Sequence, residues 1–99
     1  MTINKKDEGN RLQITLEGRL DTTTAPQMEE LVRTELSGKK EVVLDLKDLV
    51  YISSAGLRIF LQGHKQMMKQ GGSFVLMNVT EEVKEILEVT GFIDIFVIR

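Results

Sequence analysis

The residues best placed to do chemistry are Ser53 and Ser54, in the stretch Tyr51-Ile52-Ser53-Ser54-Ala55-Gly56-Leu57-Arg58, where a connecting segment gives way to a helical pattern. A serine at a helix entry caps it. Its side-chain oxygen accepts a hydrogen bond from a free first-turn N–H, and losing such a cap costs about 1 kcal/mol. The same free N–H groups, together with the helix dipole, suit an anion. A phosphate on either hydroxyl would add roughly −1.5 to −2 charges to one small patch. A partner covering that patch with acidic or apolar groups would be expelled. The residues alone leave two readings open: a structural cap, or a cap that also seats a phosphate.

Other chemistry is thinly represented. The only histidine, His64, falls on the polar part of a predicted helix and reads as a surface residue. With no cysteine and no second histidine there is no thiol chemistry and no His/Cys ligand set, and the carboxylates do not follow the spacing of a calcium loop. Gly71-Gly72 is followed by no Walker lysine, and no G-x-G-x-x-G is present, so this pair reads as a helix stop. A small nucleotide-binding hydrolase would rest only on that turn and the α/β order of the elements. Five methionines could make an adaptable binding surface, but Met28, Met67 and Met77 fall at expected core positions. No enzymatic activity, metal or cofactor is expected.

The elements that must position the serine pair follow from periodicity. Residues 1–6 and 11–18 read as a hairpin across the turn-prone Asp7-Glu8-Gly9-Asn10, the second strand alternating Leu12, Ile14 and Leu16 against polar neighbours. In Asp21-Thr22-Thr23-Thr24-Ala25-Pro26-Gln27, Thr24 is the expected N-cap, with Pro26 in the first turn and Gln27 closing a capping box. Met28, Leu31, Val32 and Leu36 continue it as a helix over about 24–36, stopped near Gly38. Val42-Val43-Leu44-Asp45-Leu46 is a strand of the sheet interior with Asp45 as its odd member, and 47–52 is a link. A helix over 53–70 carries Leu57, Ile59, Phe60, Gly63, Met67 and Met68 on its buried side and ends at Gly71-Gly72. Phe74–Met77 form a strand. Thr80 caps a short helix with Val83, Ile86 and Leu87, ended by Gly91 with Phe92 folding back on it, and Ile95–Ile98 form a last strand. The order β-β-α-β-α-β-α-β predicts a single α/β domain. Its mixed sheet carries three helices packed mainly on one face.

At 99 residues the chain holds one core, and folding hides roughly 65% of the unfolded surface without help from metals or disulfides. A net charge of −2, with 13 basic and 15 acidic residues interspersed, gives no basic stripe for nucleic acid. No secretory leader is legible at the N-terminus and no apolar run is long enough to span a membrane. A cytoplasmic location and a monomer when free are the simplest expectations.

Taken in order, Leu16-Glu17-Gly18-Arg19-Leu20-Asp21, Val42-Val43-Leu44-Asp45-Leu46 and Ser53-Ser54-Ala55-Gly56-Leu57, with the closing Val89-Thr90-Gly91-Phe92, resemble the STAS domain of the anti-sigma-factor antagonists, end to end. The resemblance implies a protein that binds an anti-sigma factor, itself often a serine kinase, and so frees a sigma factor. Phosphorylation by that kinase reverses binding, and a PP2C-type phosphatase restores it. Matching Gly56-Leu57 to the family's Gly-Leu implies that Ser54 is the acceptor, with Ser53 the alternative. The implied partner surface is Asp21, Thr22, Thr23 and Ser53 through Arg58, with Asp21 alternatively a local carboxylate supporting the helix entry. Family members with a switch often carry Asp before the acceptor, a second Ser or Thr after it, and then Gly-Leu-Gly. Here those slots hold Ser53, Ala55 and Arg58. Asp45 is expected either near Ser54 or in a strand-end hydrogen bond, and Arg58 either beside a phosphate on Ser54 or in solvent. A STAS scaffold subunit of a transport or signalling assembly, without phosphorylation, is the alternative role.

Overall fold

A computed structural model describes all of residues 1–99. The elements are β1 (Thr2–Glu8), β2 (Arg11–Leu20), α1 (Ala25–Glu35), β3 (Glu41–Ile52), α2 (Ser54–Lys69), β4 (Ser73–Met77), α3 (Glu81–Thr90), a 3-10 turn (Phe92–Asp94) and β5 (Val97–Ile98). The strands lie in sheet order β1-β2-β3-β4-β5. β1 runs antiparallel to β2, and each later pair is parallel with a helix between its members. The expected α/β order and mixed sheet are both present.

One cluster of 23 buried residues forms the core. The sheet supplies Leu12, Ile14 and Leu16 from β2, Val42, Leu44 and Leu46 from β3, and Phe74 and Leu76 from β4. Met28 and Val32 of α1, Leu57, Phe60 and Met67 of α2, and Val83 and Leu87 of α3 close over them. The alternate residues Val43 and Val75 point to the other face yet are only 1% exposed. They are register partners in the middle of the sheet. Beside them, Arg11 donates to Glu41 (2.8 Å), Glu8 (2.9 Å) and Gln13 (3.3 Å), laying a polar lattice along that face.

Four expectations need correction. The segment 47–52 is not a link: β3 runs on to Ile52. Its register against β2 slips between Thr15 and Glu17 and again between Gly18 and Arg19. Each slip adds one residue to β3, a bulge that lets Lys47, Asp48 and Val50 face solvent while Leu49 and Ile52 return to the core. The last strand is only Val97–Ile98, because Phe96 turns inward against Phe60 (6.2 Å) and Phe74 (6.3 Å) while Phe92 stacks on it at 5.7 Å. Burying that ring curls residues 92–95 out of extended form. Met68 is 47% exposed, since its neighbour Met67 already fills the buried side of α2, and Met77 is half-buried. His64 is half-buried rather than on the surface. Its ring meets Phe74 and Phe96 edge to face, and its Nδ1 is buried without a hydrogen-bond partner.

Gly71-Gly72 does end α2. Gly71, at φ +71°, lets its own N–H reach Met68 O and the Gly72 N–H reach Met67 O at 2.8 Å, the paired bonds of a left-handed helix stop. The backbone of Lys40 passes so close that a Cβ on Gly72 would lie 2.6 Å from its carbonyl oxygen. That close approach is why the second position is also glycine.

Candidate functional site at the ends of β2 and β3

The parallel pairing of β2 with β3 brings Leu20 opposite Ile52, so the chain leaves both strands side by side. Open α/β sheets place their sites at such carboxyl ends. The Ser53 N–H donates to Leu20 O at 2.8 Å, tying the turn after β2 to the start of α2. Gly56 makes the junction tight. A Cβ there would lie 2.8 Å from Ile52 Cγ1 and from Leu20 Cγ. The first turn of α2 therefore rests directly on the two strand ends.

The turn after β2 is built around Asp21. Its Oδ1 accepts from the Thr23 hydroxyl (2.7 Å) and from the N–H groups of Thr23 (3.0 Å) and Thr24 (3.2 Å). Its carbonyl accepts from Ala25 N–H at 2.7 Å. The expected Thr24–Gln27 capping box is not formed. The Thr24 side chain makes no cap bond and instead accepts from Asp21 N–H and donates to Arg19 O. Asp21 organises the turn ahead of the helix, accepting from the Thr23 and Thr24 N–H groups that precede α1, while the Gln27 N–H is met by the Thr24 carbonyl. The Thr23 hydroxyl foremost, then the backbone N–H groups of Thr23 and Thr24, hold the Asp21 pKa below the ordinary value of 3.8 against a smaller opposing effect of burial. Arg19 lies 3.9 Å from Asp21 Oδ2 and stacks over the Tyr51 ring at 4.3 Å, an arrangement that follows from the Arg19–Tyr51 register pair.

Ser53 is the N-cap of α2, its extended backbone (φ −91°, ψ 174°) letting Oγ accept from Gly56 N–H at 3.3 Å. Ser54 is the first helical residue, exposed and outside that cap bond. The first turn of α2 carries no acidic residue, so the helix itself sets nothing against the dipole's attraction for an anion. A cleft of about 200 Å³ lies between α1 and α2 and is lined by Thr22, Glu29, Ala55, Arg58 and Gln62 among others. It brings together one residue of the Asp21 turn and two of the serine segment. Arg58 is exposed on its wall rather than folded into the core.

Of the residues singled out in the sequence, Asp21, Thr22, Thr23 and Ser53 through Arg58 converge on this corner, with Gly56 and Leu57 buried beneath it. Asp45 does not join them. It is 7% exposed and accepts from Lys47 N–H (3.2 Å) and Asn78 Nδ2 (3.1 Å), holding the left-handed turn at Asn78. At roughly 3.3 Å per strand residue, its distance from Ser53 is on the order of 20 Å. Arg19, Tyr51, Glu29 and Gln62 were not singled out, although Glu29 and Gln62 lie one helical turn beyond Ala25 and Arg58 and share their faces.

Ser54 has no base built beside it. His64 is ten positions along α2, roughly 15 Å away by helix rise, far outside the hydrogen-bond reach that activates a serine nucleophile. No three His, Cys, Asp or Glu side chains gather as a metal set. No helix is long and apolar enough to cross a membrane. The corner offers surface and charge for binding.

Comparison with known proteins places this corner in context. The STAS domain family matches residues 2–99. A Bordetella bronchiseptica protein that carries the name anti-sigma factor antagonist BtrV is 40% identical over 97 residues, covering 97% of this chain and 82% of its own. The anti-sigma-B factor antagonist of Bacillus subtilis is 31% identical over 95 residues, covering 96% and 87%. The fold matches that of the Bacillus cell fate determinant SpoIIAA, an anti-sigma factor antagonist, at 14–15% identity. In its unphosphorylated form the TM-score is 0.78, with 99% of this chain and 87% of that one covered. In its phosphorylated form the TM-score is 0.76, with 99% and 91% covered. By its sequence match over nearly every residue, its identity to these relatives and its sheet order, the chain belongs to the STAS domain family, as a relative of the anti-sigma factor antagonists.

Proposed function

We propose that this protein is an anti-sigma factor antagonist that binds a serine-kinase anti-sigma factor while Ser54 is unmodified and releases it once Ser54 is phosphorylated. The observation that carries the reading is the exposed Ser54 hydroxyl on the first residue of α2, beside the rigid Asp21 turn and above the Gly56–strand contact. Ser53 is the poorer acceptor, because its oxygen is already committed to the Gly56 N–H. Modifying it would forfeit a cap worth about 1 kcal/mol. Asp21, Thr22 and Thr23 form one half of the partner surface and Ser53 through Arg58 the other.

The switch follows from charge. A phosphate on Ser54 gains from the α2 dipole and from a side chain such as Arg58 turning back, so it is tolerated in the free protein. In a complex it places roughly −1.5 to −2 charges next to Asp21, whose own carboxylate stays ionised, under a covering partner. Like charges brought together at an interface cost several kcal/mol. SpoIIAA keeps the same fold in both of its forms, at TM-scores of 0.78 and 0.76 to this chain, which supports a switch that works at the surface rather than by refolding. The nucleotide belongs to the kinase, and a PP2C-type phosphatase resets the protein. The role places the chain in the cytoplasm as a monomer when free. Incubation with the cognate anti-sigma kinase and ATP is expected to add one phosphate, at Ser54, and to abolish complex formation. Full binding by a protein confirmed to carry phospho-Ser54 overturns the switch.

A further inference from the structure

No residue between Asp48 and Glu81 is acidic, although the chain carries 15 acids and a net charge of −2. All of α2 falls in that interval. Ser54, Arg58, Gln62, Lys65 and Lys69 step along it by three or four residues and so share one outer stripe. Arg58, Lys65 and Lys69 are exposed, and none takes part in the chain's ion pairs, whose cations are Lys5, Lys6, Arg11, Arg19, Arg33 and Lys39.

Beside the far half of this stripe lies an open groove of about 920 Å³, floored by Leu61, Met68 and Ile95 and edged by Lys65 and Lys69. Met68 and Ile95 are 47% and 44% exposed, the state of apolar groups with nothing over them. Gln62 lines both this groove and the cleft at Ala55 and Arg58. The two depressions therefore adjoin at Gln62.

We propose that this surface is a docking strip for an acidic amphipathic helix of the protein partner, with apolar side chains in the Leu61–Met68–Ile95 groove and carboxylates toward Lys65, Lys69 and Arg58. The choice of partner rests on the proposed function, whereas the strip itself does not depend on phosphorylation. Its pattern fits helix-in-groove recognition, in which anchors spaced three or four residues apart fill an apolar furrow. Charge complementarity selects an acidic occupant. Glu29 in the wall of the near cleft and the chain's net charge of −2 disfavour a long nucleic-acid backbone, whereas a short helix on the far half meets Lys65 and Lys69 with no acid in that lining. The groove at Leu61, Met68 and Ile95 extends the contact beyond the switch corner, so the partner is held by more than Ser54 and its neighbours.

The test uses the full chain, isotopically labelled, and a synthetic amphipathic peptide with leucines on one face and glutamates beside them. Amide shifts are expected at Leu61, Lys65, Met68, Lys69 and Ile95. Binding should be about tenfold weaker or worse with the K65E/K69E double variant or with a peptide whose glutamates are replaced by glutamine, and unchanged with Lys6→Gln on the exposed edge strand β1. K65Q/K69Q, with a far-ultraviolet spectrum equal to wild type, gives an intermediate loss and separates charge from folding. Shifts confined to other faces, or equal affinity for the charge-reversed variant, overturn the strip. So does binding of phosphatidylglycerol vesicles at these residues while the peptide leaves them unshifted. A titration with the anti-sigma factor keeps the two ideas apart. Loss of binding with Ser54→Asp but not with K65E/K69E removes the strip and leaves the switch. Peptide binding at the groove in a chain that no anti-sigma factor recognises does the reverse.

Discussion

Replacing Gly56 with alanine tests the geometry on which the site stands. A Cβ at this position would meet Ile52 Cγ1 and Leu20 Cγ at 2.8 Å and Leu20 Cδ2 at 2.9 Å. Carbon pairs settle at 3.5–4.0 Å, so each contact is short by roughly 0.6 Å or more. Leu20 and Ile52 are 0% and 1% exposed and have no free space into which to retreat. Helix propensity pulls the other way, since alanine gains up to about 1 kcal/mol over glycine inside a helix, less in a first turn. Overpacking a filled site costs about 1–3 kcal/mol. The overlap wins, and a net loss of about 1–2 kcal/mol is expected, or roughly 5–10 °C in melting temperature for a domain of this size. Urea unfolding and calorimetry of G56A, L20A and the double variant measure it. L20A alone costs about 2–5 kcal/mol by leaving a cavity. In its background G56A should become near neutral, because two of its three clashes are gone. Equal or greater stability of G56A alone, or strict additivity in the cycle, would show that α2 does not press on the strand ends as described.

Other outcomes follow from the same geometry. Ser53→Ala should lose about 1 kcal/mol with the cap, whereas Ser54→Ala should stay within about 0.5 kcal/mol of wild type; paired urea melts separate them. Asp45→Ala removes the hydrogen bonds to the Lys47 N–H and the Asn78 amide, both on exposed residues, and should cost about 0.5–1.5 kcal/mol without changing partner affinity, which calorimetric titration of the complex would check. The Asp21 pKa is lowered by folding, so the unfolded chain binds the proton more readily. The stability Asp21 contributes is thus complete above about pH 4 and fades as pH falls through its depressed value. Urea midpoints between pH 3 and 7 should fall more steeply on acidification for wild type than for Asp21→Asn.

Local pattern carried most of the architecture. The alternation of Leu12, Ile14 and Leu16, the helical spacing from Leu57 to Met67 and the stops at Gly71 and Gly91 all lie within a few residues of their causes. What stayed hidden depends on pairing between distant segments. Lys47-Asp48 reads as a strand end until the two bulges against β2 carry β3 past it. Thr24 satisfies every local rule for a cap, yet its hydroxyl is drawn back to the Asp21 N–H and the Arg19 carbonyl at the end of β2, a contact that strand pairing sets. His64 looks polar on its helix, but Phe96 arrives from the C-terminal end to cover it. At the site, the serine segment was legible as a cap and, by likeness, as an acceptor. Its neighbours Arg19, Tyr51 and Glu29 came from strand register and helix packing. The need for glycine at position 56 emerged only from the side chains of Leu20 and Ile52.

The central claim is that one hydroxyl on the first turn of α2 decides whether the partner stays bound. The most direct measurement takes the complex with the cognate anti-sigma kinase, adds ATP, and follows intact mass, fragment-level phosphosite and bound fraction in the same sample. The account predicts one phosphate at Ser54, none in Ser54→Ala, and an affinity lower by roughly a hundredfold once the site is filled. A chain stoichiometrically phosphorylated at Ser54 that remains bound with undiminished affinity would contradict it.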